Sequence, residues 1–165
     1  MNALISFADK IGINPILLNA VEKTNQKQIQ NIVSLMEKTL GALTSQRITV
    51  LGTAFKPNTD DVRDSIAIEL IKKLLKKKSR VTIYDPKAMK NTRNVFGEKI
   101  IYAGSIADAL NKSQCAILMT HWNKFERFNN NSLKHMSRKF VIDCRRILVK
   151  KELQAEYHAI GIGKI

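Results

Sequence analysis

From Arg47 onward the chain repeats one device: a short, unbroken apolar run, a polar loop, then a stretch with helical spacing. Such runs stand at Arg47-Ile48-Thr49-Val50-Leu51-Gly52, Arg80-Val81-Thr82-Ile83-Tyr84 and Lys99-Ile100-Ile101-Tyr102. Others are residues 115–120, 140–143 and 157–162. They do not alternate apolar with polar, so each must be covered on both faces. The intervening segments carry apolar residues at helical spacing, as with Ile68, Ile71, Leu74 and Leu75 after Ser65. Strands alternating with helices give a parallel sheet with crossover helices. The fold class is therefore α/β, a doubly wound parallel sheet preceded by a long-helix extension.

The first 44 residues read differently. Leu4, Ile5, Ala8 and Ile11 have helical spacing, and Gly12 stops that helix. Asn14 is placed to cap the next helix, with Pro15 at its first position. Apolar residues then recur at Leu18, Val21, Ile29, Ile32, Val33, Met36, Leu40 and Leu43. This predicts one helix of roughly 28 residues, far beyond the usual three turns. A helix that long is expected to pack against something outside its own domain. Two units are expected: a helical connecting segment, residues 1–44, and an α/β domain, residues 45–165. Within the second, Ser105 should cap a helix through Leu110, and short helices are expected near Phe125, near Leu133 and over 149–155. Residues 87–95 read as a basic connection.

The chain has 165 residues, 44% of them apolar, which suits a packed core. No apolar run approaches the roughly 20 residues that span a bilayer. No charged start followed by an apolar block marks a signal peptide, so a cytoplasmic protein is expected. The formal net charge is +14, which draws anions and raises the question of nucleic acid. Lys72, Lys73, Lys76, Lys77 and Lys78 cluster at the end of a predicted helix, where cations complement the dipole. With one Trp in the chain, stacking platforms for bases are not evident. A solvated helix end is thus favoured over a nucleic-acid surface. Cys115 and Cys144 lie in apolar runs and read as small packing residues. His121, His135 and His158 form no metal-ligand spacing.

Ligands of an open parallel sheet bind beyond the carboxyl ends of its strands. Three such loops are rich in polar groups. In the first, residues 52–65, only Gly52 is present where a dinucleotide fold carries G-x-G-x-x-G. That loop instead places Lys56 and Arg63 on either side of Asp60 and Asp61, ahead of a helix N-terminus. The set can hold a diphosphate, or the charges can simply brace the loop. Asp85-Pro86 follows the second strand at the ribose-binding acidic position, although a turn role suits it better. Arg145-Arg146 follows Asp143 and is either a second anion site or a surface pair.

The motifs resemble those of the UDP-glucose/GDP-mannose dehydrogenase family. Residues 50–65 are similar to its G-x-A-F-K-x-x-T-D-D-x-R-x-S signature, and residues 81–86 to its V-x-x-Y-D-P. Thr120-His121-Trp122-Asn123-Lys124-Phe125 resembles T-E-W-x-x-F, with His121 for Glu. Val141-Ile142-Asp143-Cys144-Arg145 resembles its D-G-R segment, with Cys144 for Gly. Val21, Asn25 and Gln28 match the connecting helix, while Ile66 stands where members often have Pro. The resemblance implies a Rossmann-like C-terminal domain that binds a UDP-sugar, UDP-glucose being favoured. It implies substrate contacts at Phe55, Lys56 and Arg145, a contact on the NAD side of the cleft at Arg63, and a homodimer through the long helix. In the family, NAD binds a separate N-terminal domain, and the nucleophilic cysteine lies in a C-F-x-K-D segment leading into the connecting helix. Neither matches this sequence, so no catalytic residue is expected here, nor tight NAD binding or activity by the chain alone. A separate polypeptide is one source of the NAD domain. Competing expectations are a basic nucleic-acid module and a structural dimerisation module.

Overall fold

A computed structural model describes residues 2–148 and 152–161. Two helices come first, α1 (Asn2–Lys10) and α2 (Ile16–Leu40). They are followed by β1 (Arg47–Leu51), α3 (Ile66–Lys76), β2 (Arg80–Tyr84) and α4 (Met89–Phe96). Next come β3 (Ile101–Tyr102), α5 (Ile106–Leu110) and β4 (Cys115–Leu118). The remainder is α6 (Asn130–Leu133), β5 (Phe140–Asp143) and β6 (Glu156–Ala159).

All six strands are parallel, in the order β3-β2-β1-β4-β5-β6. This is the Rossmann order, in which the chain reverses its direction of travel between β1 and β4. The lack of alternation explains the burial: every residue of β4 and β5 is buried, and β1 is buried from Ile48 on. Helix α3 buries Ala67, Ile68, Leu70, Ile71 and Leu74, one stripe of its surface. Each such Leu or Ile contributes about 1.5–3 kcal/mol by leaving water.

Helix α2 is divided along its length. Ile29, Ile32, Val33 and Met36 in its second half join the core of the sheet domain. Its first half exposes Ile16 (71%) and Leu17 (75%), and α1 exposes Leu4 and Phe7. Lys77 at the end of α3 pairs with Glu37 of α2 at 2.6 Å. Lys72 pairs with Glu69 at 2.7 Å. Both pairs are exposed, as befits a solvated helix end.

Some local expectations are corrected. Helix α2 begins at Ile16 with Pro15 at the flanking position, and no side-chain cap bond forms there. Ser65 does stand at the cap of α3, but its carbonyl rather than its hydroxyl serves the first turn, accepting from Ile68 and Glu69. Ser105 caps α5 through its hydroxyl, which accepts from Asp108 N. Residues 87–95 are not a mere connection, because α4 forms there. It buries only Thr92 and Phe96, too little to show as periodicity. Of the segment 149–155, residues 149–151 lie outside the described residues and 152–155 are not helical. The last strand is Glu156–Ala159, and Ile162 lies outside the described residues.

Candidate functional site

The reversal between β1 and β4 opens a crevice beyond their carboxyl ends, the place where such sheets bind ligands. Gly52 follows β1 with φ +89°, a left-handed conformation that favours glycine. A Cβ there would lie 2.6 Å from Thr120 Cβ and 2.8 Å from the Thr120 nitrogen. The loops after β1 and β4 therefore touch backbone to backbone. The Thr120 hydroxyl donates to the Ala54 carbonyl at 2.6 Å and fixes that contact.

A carboxylate organises the loops from below. Asp85, at the end of β2, is 1% exposed. Its Oδ2 accepts from Thr53 N (2.7 Å), Ala54 N (3.0 Å) and Trp122 Nε1 (3.2 Å). Its Oδ1 accepts from Lys87 N (2.9 Å) and Ala88 N (2.8 Å), which shapes the turn into α4. Thr53 Oγ1 and Thr92 Oγ1 lie 2.7 Å apart and tie the first loop to α4. Asp85 is thus a turn residue, and also the joint between three loops.

Asp143, at the end of β5, repeats the arrangement. It is fully buried and accepts from Arg145 N (3.0 Å), Leu148 N (2.8 Å) and the Tyr157 hydroxyl (3.1 Å). Burial first, and then the Asp143 charge, push the Tyr157 phenol well above its usual range, so it stays a donor. The Arg145 Nε donates to the Met119 carbonyl at 2.6 Å. This fastens Arg145 to the loop after β4.

The outer rim carries the residues singled out by sequence. Phe55 is 44% exposed, and Lys56 Nζ sits 5.3 Å from its ring centroid. Phe55 N donates to the Asp61 carbonyl at 3.0 Å, which closes the loop on itself. Arg63 grips Asp61 through Nε (3.0 and 3.2 Å) and Nη2 (2.8 Å), with its own side chain 89% exposed. That side-chain bond first, and the Arg63 backbone N–H second, hold the Asp61 carboxyl down at about 2. Arg63 therefore braces the loop. Asn58, Asp64 and Arg146 adopt positive φ in these loops. Lys124 lies 2.5 Å from the Tyr84 hydroxyl and over its ring.

The structure joins Phe55 and Lys56 as one feature and fastens Arg145 to the adjoining β4 loop. Arg63 belongs to the first loop but is committed to Asp61. Sequence reading passed over Thr120, Trp122 and Asp143 as loop anchors. Their common signal is a polar or indole donor next to the end of an apolar run.

The turn after β1 does not fit a dinucleotide. Gly52 is its only glycine and already abuts Thr120, and both Asp85 oxygens are engaged by backbone and indole donors. No oxygen is left to accept from a ribose in the usual manner. Burial raises both thiols, Cys115 far above its normal range and the half-buried Cys144 to about 12, which lowers their thiolate fraction.

Comparison with known proteins agrees with this geometry. Residues 49–150 match the model of the UDP binding domain of the UDP-glucose/GDP-mannose dehydrogenase family. UDP-glucose 6-dehydrogenase AglM of Haloferax volcanii is 39% identical over 150 residues, covering 91% of this chain and 34% of that protein. UDP-glucose 6-dehydrogenase TuaD of Bacillus subtilis is 32% identical, with 96% and 35% covered. A UDP-glucose dehydrogenase structure from Pyrobaculum islandicum superposes with a TM-score of 0.78 at 31% identity, over 94% of this chain and 34% of that one. The chain spans about a third of the length of these relatives. With the Rossmann strand order, the pinned β1–β4 crevice and a family match over more than half its residues, this chain belongs to the UDP-glucose/GDP-mannose dehydrogenase family and carries its UDP binding domain.

Proposed function

We propose that the chain binds the diphosphate end of a UDP-sugar at the carboxyl ends of β1 and β4. The observation that carries this is the rim itself: Lys56 and Arg145 present cations above loops that Asp85, Thr120 and Asp143 hold in place. Preset loops cost little ordering on binding, and Arg and Lys suit phosphate oxygens. Phe55 offers an exposed apolar face beside Lys56 for the ring end of the ligand. Arg63 serves by holding the loop through Asp61.

In this reading the chain supplies recognition of the nucleotide sugar. Oxidation at the sugar C6 by NAD is a property of the whole relatives and requires groups that the described residues do not provide. The first half of α2, with α1, presents the apolar surface through which two copies pair. Sedimentation of the chain as a monomer at micromolar concentration would oppose that pairing.

Isothermal titration with UDP and UDP-glucose tests the binding. Binding is expected at millimolar or tighter concentration, with a rise in unfolding temperature. Lys56→Ala and Arg145→Ala should each weaken it about tenfold or more, as loss of a charge-assisted contact does. An affinity unchanged from that of the unmutated chain in both variants, at unchanged stability, removes the proposed site.

A further inference from the structure

The same sheet carries a second polar cleft at its opposite end. Its volume is about 460 Å³, within the range of small-molecule sites. It is lined by the amino ends of β1 and β2, by β3 and by α5. Arg47 opens β1 and Arg80 opens β2, and the two are register partners. Partners in register leave a sheet on the same face, about 4.8 Å apart. On that face Thr49 and Thr82 follow, two residues along each strand. The Thr49 hydroxyl lies 2.5 Å from the Ala109 carbonyl and 2.9 Å from Ser113 Oγ, so the floor under α5 is fixed.

The charges in this cleft do not balance. Like charges directly opposite each other destabilise a sheet. Neither guanidinium has a hydrogen bond or ion pair among the described residues, and both side chains are exposed. Asp108 is the one carboxylate in the lining, on α5. The side chains of Thr82 and Asn111 likewise make no hydrogen bond among the described residues. The cleft thus offers two cations at one side, and hydroxyl, amide and carboxylate groups around the rest.

We propose that this cleft is a second ligand site, which takes a phosphate monoester carried on a hydroxyl-bearing ring. The phosphate would bridge Arg47 and Arg80, removing their repulsion through paired charge-assisted bonds. Ring hydroxyls or amines would donate to Asp108 and meet Thr82 and Asn111. The site is separate from the UDP crevice: β1 runs from one to the other, about 13 Å at 3.3 Å per residue.

Backbone amide NMR on the whole chain tests it with three probes: inorganic phosphate, glucose 6-phosphate and adenosine monophosphate. Shifts are expected at Thr82, Gly104, Asp108 and Asn111, while the amides of Phe55, Lys56 and Arg145 stay still. Both esters should bind more tightly than inorganic phosphate, and the tighter of the two identifies a sugar or a nucleoside as the ring. Arg47→Gln and Arg80→Gln should each weaken binding roughly tenfold. Both are exposed positions, so the chain should keep its unfolding temperature, which is measured alongside. Esters binding no better than phosphate would overturn the assignment. So would shifts that persist in the Arg47→Gln/Arg80→Gln double variant, or that occur only around Lys56 and Arg145. Failure of UDP to bind the other crevice would leave these readings unaffected.

Discussion

Replacing Asp85 by Asn is the sharpest test of how the crevice is held. The side chain keeps its shape, but one oxygen becomes an NH2 group. In this structure both oxygens only accept: Oδ2 from three donors and Oδ1 from two. Whichever way the amide turns, its NH2 faces N–H groups. The less costly orientation puts it against Lys87 N and Ala88 N and keeps the three bonds at Thr53, Ala54 and Trp122. Two bonds are lost, and two donors are left facing a third. A bond to a charged group contributes about 1.5–3 kcal/mol, and an orphaned buried donor costs about 1–3 kcal/mol. Water can reach the turn at Lys87, which is exposed, so the lower figures apply. We expect Asp85→Asn to destabilise the chain by about 2–4 kcal/mol, a drop in Tm of roughly 5–15 °C for this chain length. Asp85→Ala orphans all five donors and should cost about 4–5 kcal/mol or more, near the limit for single substitutions. Urea unfolding followed by tryptophan fluorescence suits the measurement, since Trp122 is itself one of the donors. A change below about 0.5 kcal/mol in Asp85→Asn, with an unchanged denaturant slope, would show that Asp85 does not hold these loops. Equal losses in the two variants would refute the claim that three bonds survive in Asn.

Gly52→Ala should be destabilising by about 2–4 kcal/mol, from positive φ together with a 2.6 Å approach to Thr120; thermal unfolding measures it. Thr120→Ala in the Gly52→Ala background should recover little, since alanine keeps both the Cβ at 2.6 Å and the backbone nitrogen at 2.8 Å. Asp61 should titrate at about 2 by carboxyl NMR. Its folded value is depressed, so its stabilisation of the loop is present above the usual carboxylate range and is lost as pH falls through about 2. Arg63→Gln should return the midpoint toward 3.8. Cys115 and Cys144 should react slowly with a maleimide at neutral pH in the folded chain, and both readily in urea; rapid labelling of Cys115 when folded would contradict its burial.

Much of the fold is legible from residue order alone. The runs at β1, β2, β4 and β5 are continuous and apolar because both faces of a central parallel strand are covered. Helix α3 shows its stripe because five of its residues are buried. Helix α4 does not, since Thr92 and Phe96 are its only buried residues and polar or basic side chains fill most of the rest. The crevice is legible in part. Lys56 and Arg145 stand out because charged residues follow apolar runs. The work of Asp85 does not, because its partners at residues 53, 54 and 122 come from loops that meet only after the sheet forms. The facing of Arg47 and Arg80 is hidden for the same reason: it needs the β1–β2 register, across a helix of intervening chain.

Asp85 and Asp143 together explain how a basic chain keeps its site cations on the outside. Each acid ends a strand, is buried, and accepts backbone N–H groups of the turn that follows it. Each also accepts from a ring donor from elsewhere, Trp122 in one case and Tyr157 in the other, and Asp85 takes the Thr53 and Ala54 N–H groups as well. Among the described residues both buried acids are thereby met by neutral donors, not by a lysine or arginine side chain. Had Asp85 paired with Lys56, or Asp143 with the Arg145 guanidinium, those cations would be drawn inward and neutralised. Instead Arg145 gives its backbone N–H to Asp143 and one Nε–H to Met119, and its remaining guanidinium donors stay on the exposed side. Arg63 marks the contrast, because its guanidinium is taken up by the loop carboxylate of Asp61. In the proposed reading the division separates scaffold from ligand chemistry: acids met by dipoles hold the loops, and the Lys56 and Arg145 cations have no carboxylate partner among the described residues. A diphosphate bound as proposed would then supply a counter-charge to Lys56 and Arg145, whereas the rim carboxylate of Asp61 is already met by Arg63.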